Sequence, residues 1–125
     1  MTDEKFVHGD LAYRVVGIAM EVHRELGHGF LEKVYENAMM VAFRLAGIKA
    51  EQQAPIKVNF RGEIVGEYVA DILVERKIIL ELKSQDKITD LHRAQTLNYL
   101  KATGLKLALI LNFGKEGLQR ERLVY

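Results

Sequence analysis

The sequence predicts one α+β domain, in the broad α/β class, in which helices flank a mixed β-sheet in the order αα-βββ-α-β. Three observations predict this fold. The chain begins with two long stretches in which apolar residues recur at helical spacing. Short aliphatic and β-branched runs then follow one another across polar turns, as in hairpins. Another helical stretch precedes a last aliphatic run, so a crossover helix is expected to join two strands and make the sheet mixed.

The first two predicted helices span residues 10–26 and 31–45. Apolar residues recur every three or four positions in both, and glycines follow each stretch, which is typical of helix ends. A third predicted helix begins at a cap provided by Thr89 or Ser84. It contains Gln95 and Tyr99, which share a face because they are four residues apart.

Four runs are expected to form strands: 56–60, 68–74, 78–83 and 105–113. Pro55 suits the start of the first run, because proline is tolerated at the beginning of a strand. Polar turns at 61–63 and 75–77 are expected to join the first three strands as antiparallel hairpins. The tail at 121–125 is compatible with a further strand.

Two acidic residues and a lysine lie within the second and third of these strands. Glu81 and Lys83 share one face, because side chains alternate along a strand, and a hairpin could bring Asp71 opposite Glu81. Charges in such apolar runs cost free energy unless they are paired, bound to a metal or exposed at a strand end. Two neighbouring carboxylates suit Mg²⁺ or Mn²⁺. The pattern therefore indicates a metal-dependent phosphodiesterase, with the lysine stabilising developing negative charge.

A simpler interpretation is a solvated sheet edge. The pattern Glu-x-Lys is common, and Glu75-Arg76-Lys77 also matches it at a predicted hairpin tip. Glu32 is open to a similar interpretation, since an acid in the first turn of a helix favours the positive helix end. Tyr35, three residues later, is compatible with an ordinary core position. From these residues alone, both interpretations stay open.

Two further patterns flank the acidic residues and the lysine. Residues Gly29–Tyr35 have the form Gly-x-x-Glu-x-x-Tyr, and Gln95–Tyr99 have the form Gln-x-x-x-Tyr. With these patterns in this order, the chain resembles the small GxxExxY proteins of the PD-(D/E)xK nuclease superfamily, on the branch similar to RecB-type exonuclease domains. The resemblance extends from about Leu11 to Phe113, which is nearly the whole chain.

The resemblance implies a restriction-endonuclease-like core and a site for Mg²⁺ or Mn²⁺. It implies these metal ligands: Glu32, directly or through water, Asp71, Glu81 and the backbone carbonyl of Leu82. Lys83 would be the catalytic lysine, and Gln95 and Tyr99 would line the site from the following helix. The sequence departs from the superfamily name at Ala70, which precedes the aspartate where the name has proline.

Length and composition exclude several classes of function and site. The 125 residues fit a single domain spanning 1–125, and a net charge of +1 argues against a dense nucleic-acid-binding coat. The absence of cysteine excludes disulfides and thiol chemistry, and the histidines show no zinc-ligand spacing. No apolar run reaches the ~20 residues of a membrane span, and the N-terminus is polar. A cytoplasmic location without membrane contact is therefore expected.

Two functional hypotheses follow. The first is a nuclease that cleaves phosphodiester bonds of DNA or RNA, and it is favoured because the acidic residues and the lysine are all present together. The second is an inactive nuclease-like module that binds nucleic acid or a protein partner, which is suggested by the small size and low net charge. A lone core of this size is also compatible with a homodimer.

Overall fold

A computed structural model of the chain describes residues 7–125. Within that range the helices and strands are α1 (Gly9–Leu26), α2 (Glu32–Leu45), β1 (Ala50–Phe60), β2 (Glu63–Val74), β3 (Ile78–Lys83), α3 (Asp90–Thr103), β4 (Leu107–Gly114) and β5 (Gly117–Val124). The predicted class, a restriction-endonuclease-like α+β fold with a mixed sheet between helices, is confirmed. The chain ends in a full fifth strand, so the order is αα-βββ-α-ββ.

The five strands form one sheet in their order along the chain, β1-β2-β3-β4-β5. Neighbouring strands are antiparallel except for β3 and β4, which are parallel. Helix α3 makes the crossover between those two strands, because parallel strands cannot be joined by a tight turn. This single crossover makes the sheet mixed and places α3 beside the predicted site.

Apolar side chains cover both faces of the sheet. On one face, α1 and α2 pack against alternate residues of β3, namely Ile78, Leu80 and Leu82. On the other face, α3 packs through Tyr99 and Leu100 against a smaller cluster that includes Ile79. Four of the six residues of strand β3 are apolar, because helices cover the strand on both sides.

The first hairpin is much longer than the sequence pattern indicates. Strand β1 begins at Ala50 rather than 56, and β2 begins at Glu63 rather than 68. Apart from Ala50 and Ala54, the added residues are polar or exposed, so these segments show little apolar alternation to detect. Pro55 lies inside β1 rather than at its start, and this is tolerated because β1 is an edge strand. The outer part of the hairpin extends beyond the buried part of the sheet.

The structure decides which of the two predicted residues caps α3. Helix α3 is capped by Thr89, not Ser84: its hydroxyl accepts from the His92 N–H at 3.3 Å, and His92 Nδ1 accepts from the Thr89 N–H at 3.1 Å. This reciprocal pair gives His92 a capping role. In residues 7–125, no helix combines the length and the apolar character that a membrane span requires.

Candidate metal-binding and catalytic site

The two predicted acidic ligands meet where β2 and β3 separate. The backbone pairing of these strands ends at Ile72 and Leu80. One step beyond, the Asp71 N–H donates to Glu81 Oε2 at 3.0 Å, and the Leu82 N–H donates to Asp71 Oδ2 at 2.7 Å. Each carboxylate therefore accepts a hydrogen bond from the backbone of the opposite strand. These bonds hold the two side chains beside each other at the point where β2 and β3 separate, which we call the fork.

Burial disfavours the charged form of both carboxylates. Glu81 is only 6% exposed. Burial, and then the negative charge of Asp71, raise the pKa of Glu81 to about 8. Burial is also the largest cause that raises the pKa of Asp71, although the hydrogen bond from Leu82 opposes it. The pair is stabilised by anything that reduces its negative charge, either a proton or a cation.

Lys83 and Glu32 lie close enough to act on this pair. The positive charge of Lys83 lowers the pKa of both Asp71 and Glu81, partly offsetting their burial. The negative charge of Glu32, at the first position of α2, has a smaller and opposite effect and raises the pKa of Asp71. One Glu32 oxygen accepts from the Ser84 N–H at 3.3 Å, which ties the start of α2 to the end of β3. Three elements thus converge at one edge of the sheet.

Helix α3 brings Gln95 and Tyr99 to the same region. Gln95 Nε2 donates to the Tyr99 hydroxyl at 2.9 Å, as their spacing of four residues allows. Tyr99 is 6% exposed, and its pKa is raised first by burial and then by the charge of Glu81. The phenol therefore lies within the electrostatic field of the carboxylates, while the Gln95 side chain stays exposed.

The tyrosine of the Gly-x-x-Glu-x-x-Tyr pattern lies in the core, which is the simpler of its two interpretations. The Tyr35 ring stacks on Phe113 with centroids 4.4 Å apart. Its hydroxyl donates to the Gly27 carbonyl at 2.7 Å and accepts from the Phe30 N–H at 3.3 Å. Tyr35 therefore fixes the loop that precedes Glu32, so this half of the pattern positions the acidic residue.

Sequence reasoning missed one acidic residue, Glu36. It is 4% exposed and accepts hydrogen bonds from Lys33 Nζ at 2.9 Å and from Gln53 Nε2 at 3.0 Å. Its charge raises the pKa of Asp71 and of Glu81. The available signal was its position one helical turn after Glu32, on the same side of α2. A buried acid in a helix is ambiguous without the tertiary structure.

The carboxylate oxygens at this site are suitable ligands for a hard cation. Asp71 and Glu81 offer paired carboxylate oxygens, the ligand type that Mg²⁺ and Mn²⁺ prefer, and a dication would relieve their mutual repulsion. Across residues 7–125, no three acidic, histidine or cysteine side chains are arranged to hold a metal ion. The Asp71, Glu81 and Glu32 carboxylates instead each have an oxygen occupied by a backbone N–H.

Comparisons with known proteins agree with this fold. The crystal structure of SSO0001 matches with a TM-score of 0.58 and 14% sequence identity, over 74% of this chain and 50% of that chain. This chain therefore spans about half the length of SSO0001, and such low identity shows the fold alone. Among curated proteins, no match was found.

The family comparison is more extensive. The sequence pattern of the PD-(D/E)XK nuclease superfamily matches residues 9–123. The match contains both strands of the fork and all the side chains described around it. The narrower assignments, to the GxxExxY proteins and to the RecB-like branch, stay predictions. The chain belongs to the PD-(D/E)XK nuclease superfamily.

Proposed function

We propose that this protein is a Mg²⁺- or Mn²⁺-dependent nuclease that hydrolyses phosphodiester bonds of DNA or RNA. The observation that carries the proposal is the paired arrangement of Asp71 and Glu81 at the fork, with Lys83 two residues further along β3. A superfamily match over residues 9–123 supports the same reaction class. Buried like charges of this kind are common at catalytic sites.

Each side chain has a proposed role. Asp71, Glu81 and the Leu82 carbonyl would hold the cation, and Glu32 would support it from α2. A bound dication polarises a phosphoryl oxygen and lowers the pKa of water. Lys83 would orient the attacking water and stabilise the negative charge that develops on the phosphate.

The pair on α3 would act on the substrate side of the site. The Tyr99 hydroxyl accepts from Gln95 and retains its own proton to donate. Gln95 keeps a second amide hydrogen and a carbonyl oxygen for water or for the scissile strand. Burial and the nearby Glu81 charge keep the phenol protonated, since both raise its pKa. The pair would therefore position the phosphate rather than exchange protons with it.

A second candidate is an inactive module that binds nucleic acid or a protein partner, as a monomer or a homodimer. One observation favours it: Glu81, with a pKa of about 8, can be stabilised by a proton in place of a cation. The carboxylates would then be a structural feature of the fork. The net charge of +1 is also modest for a protein that must hold a polyanion.

A cleavage assay distinguishes the two candidates. Labelled single- and double-stranded DNA and RNA would be incubated with Mg²⁺ or Mn²⁺ and the wild type, Lys83→Ala or Lys77→Ala. Lys77 is a matched control, because it is exposed at the opposite end of β3. We expect Lys83→Ala to lose activity by about a hundredfold or more while Lys77→Ala cleaves normally. Equal cleavage by both variants would contradict the role of Lys83, and no cleavage of any substrate would favour the module.

A further inference from the structure

An open groove lies between α3 and the long β1–β2 hairpin. Its volume is about 740 Å³, within the range of small-ligand sites. The hairpin side is formed by residues near Val58 and Tyr68, and the helix side by residues from Leu91 to Ala102. The groove exists because the outer part of the hairpin extends past the small apolar cluster that joins α3 to the sheet.

An aromatic side chain is left partly uncovered in this groove. Tyr68 lies on β2 and is 49% exposed. Its ring is tilted by 44° to the buried Tyr99 ring, with centroids 5.6 Å apart, so only part of it is covered. Burying a tyrosine ring is favourable, and an exposed ring beside an open groove is therefore available for a flat apolar partner.

The other groove residues are suited to a polar, hydrogen-bonding ligand. Asn59 from the hairpin and Gln95 and Asn98 from α3 contribute amide groups, each with donors and an acceptor. Amides of this kind can match the mixed donors and acceptors on the edge of a nucleobase. Lys101 adds a positive charge on the same wall, suited to a phosphate.

The groove lies next to the carboxylate site on the same face of the sheet, because Tyr99 packs in one apolar cluster with Ala70, which precedes Asp71, and with Ile79, two residues before Glu81. Gln95 and Tyr99, which share a hydrogen bond, both line the groove. The charge of Glu81 contributes to the raised pKa of the Tyr99 phenol, which agrees with this placement. A strand with a phosphate at Asp71 and Glu81 would therefore have its neighbouring nucleotide beside the groove.

We propose that this groove binds one unpaired nucleobase, stacked on Tyr68 and held at its edge by the side-chain amides, next to the phosphate bound at the fork. The inference rests on the proposed nuclease function and names its substrate class, single-stranded or unpaired nucleic acid. A base within a duplex cannot present a face to Tyr68 because its neighbours already cover both faces. Stacking tolerates different sequences, because every base has an aromatic face.

The test measures binding and cleavage separately. Short fluorescent DNA and RNA strands, and blunt duplexes of the same sequence, would be titrated by fluorescence anisotropy with Ca²⁺ replacing Mg²⁺. The proteins are the wild type, Tyr68→Leu, Tyr68→Phe and Tyr13→Leu. Tyr13 is the matched control, since it is 83% exposed on α1, away from the groove. Circular dichroism and gel filtration would check the folding and the oligomeric state of each variant.

We expect single strands to bind more tightly than duplexes. Tyr68→Leu should weaken single-strand binding about tenfold, whereas Tyr68→Phe and Tyr13→Leu should leave it unchanged, because phenylalanine retains the stacking face. A 2-aminopurine base in the strand should also lose its fluorescence change in Tyr68→Leu. Single-strand binding that depends on Tyr68 without any cleavage would support the groove and overturn only the catalytic proposal.

Other results would overturn the groove assignment. If the wild type cleaves nucleic acid but Tyr68→Leu binds single strands as tightly as Tyr13→Leu does, the nuclease proposal stands and the groove assignment falls. If Tyr68→Leu instead changes the oligomeric state, the groove is occupied by a second copy of the chain. If the wild type neither binds nor cleaves any strand, both proposals fall.

Discussion

The Asp71 N–H donates to Glu81 Oε2 at 3.0 Å, and the Asp71 carboxylate in turn accepts from the Leu82 N–H at 2.7 Å. These bonds replace the backbone ladder that ends at Ile72 and Leu80. The fork is therefore closed by side chains, and its two carboxylates are fixed in position before any ligand binds. Fixed groups of this kind can bind a cation or a developing charge without reorganising.

The first prediction concerns the pH dependence of the metal-free protein. Folding raises the pKa of Glu81 from 4.5 to about 8, so the folded state holds a proton that the unfolded chain releases. This contribution to stability is complete below pH 4.5 and is lost as pH rises through about 8. In EDTA, the Tm of the wild type should therefore fall between about pH 5 and about pH 9 more steeply than the Tm of Glu81→Gln. Equal slopes would contradict the raised pKa of Glu81.

A second prediction concerns Glu36, the acid that the sequence did not reveal. In Glu36→Gln, an NH2 group replaces one of the two oxygens that accept from Lys33 and Gln53, so one of these donors meets another donor and the negative charge is lost. We expect this change to lower the free energy of unfolding by about 1–3 kcal/mol, measured by urea denaturation. The exposed Glu25 on α1 offers a matched control, and Glu25→Gln should change the stability by less than about 0.5 kcal/mol. An equally stable Glu36→Gln would show that the network contributes nothing.

Glu36→Gln should also change the pH dependence of stability, which the loss of hydrogen bonds alone would not do. The charge of Glu36 raises the pKa of Glu81, although burial and Asp71 have larger effects. Removing that charge should shift the midpoint of the pH-dependent loss of stability to lower pH. The shift should be absent in Glu25→Gln. An unchanged midpoint would show that the charge of Glu36 does not affect the pKa of the carboxylate pair.

A third prediction tests the structural role of Tyr35. In Tyr35→Phe, the ring keeps its stack on Phe113, but the Gly27 carbonyl and the Phe30 N–H lose their hydrogen-bond partner. The loss should destabilise the fold by about 1–2 kcal/mol in urea denaturation. Because Tyr35 fixes the loop before Glu32 and does not contact the carboxylate pair, Mn²⁺ affinity should change less than in Glu32→Gln. A Tyr35→Phe variant of normal stability would refute this role.

The sequence predicted the parts of the fold that depend on apolar periodicity. Helices α1 and α2 and strand β3 lie within one residue of their predicted bounds, because each buries a continuous stripe or run, and α3 begins directly after Thr89, one of its two predicted caps. Strand β5 was indicated only by its last residues, since polar and charged side chains such as Gln119 and Arg120 interrupt its pattern. Edge strands bury little, so their sequences carry little periodic signal.

Some features of the candidate site could likewise be predicted from the sequence, and others could not. The adjacency of Asp71 and Glu81 follows from the alternation of side chains along two strands joined by a short turn, which sequence spacing specifies. The positions of Glu36 and Tyr68 depend on how α2 and the long hairpin pack against the sheet. Those contacts join residues far apart in the chain, and no local pattern encodes them.

The central claim is that Asp71 and Glu81 form a cation site, and a calorimetric Mn²⁺ titration tests it without knowledge of the substrate. The titration compares the wild type with Asp71→Asn and with Asp10→Asn, a control that changes an exposed aspartate at the start of α1. We expect saturable binding in the wild type and in Asp10→Asn, weakened about tenfold or more in Asp71→Asn. Equal affinity in all three proteins, or no binding in the wild type, would contradict the claim.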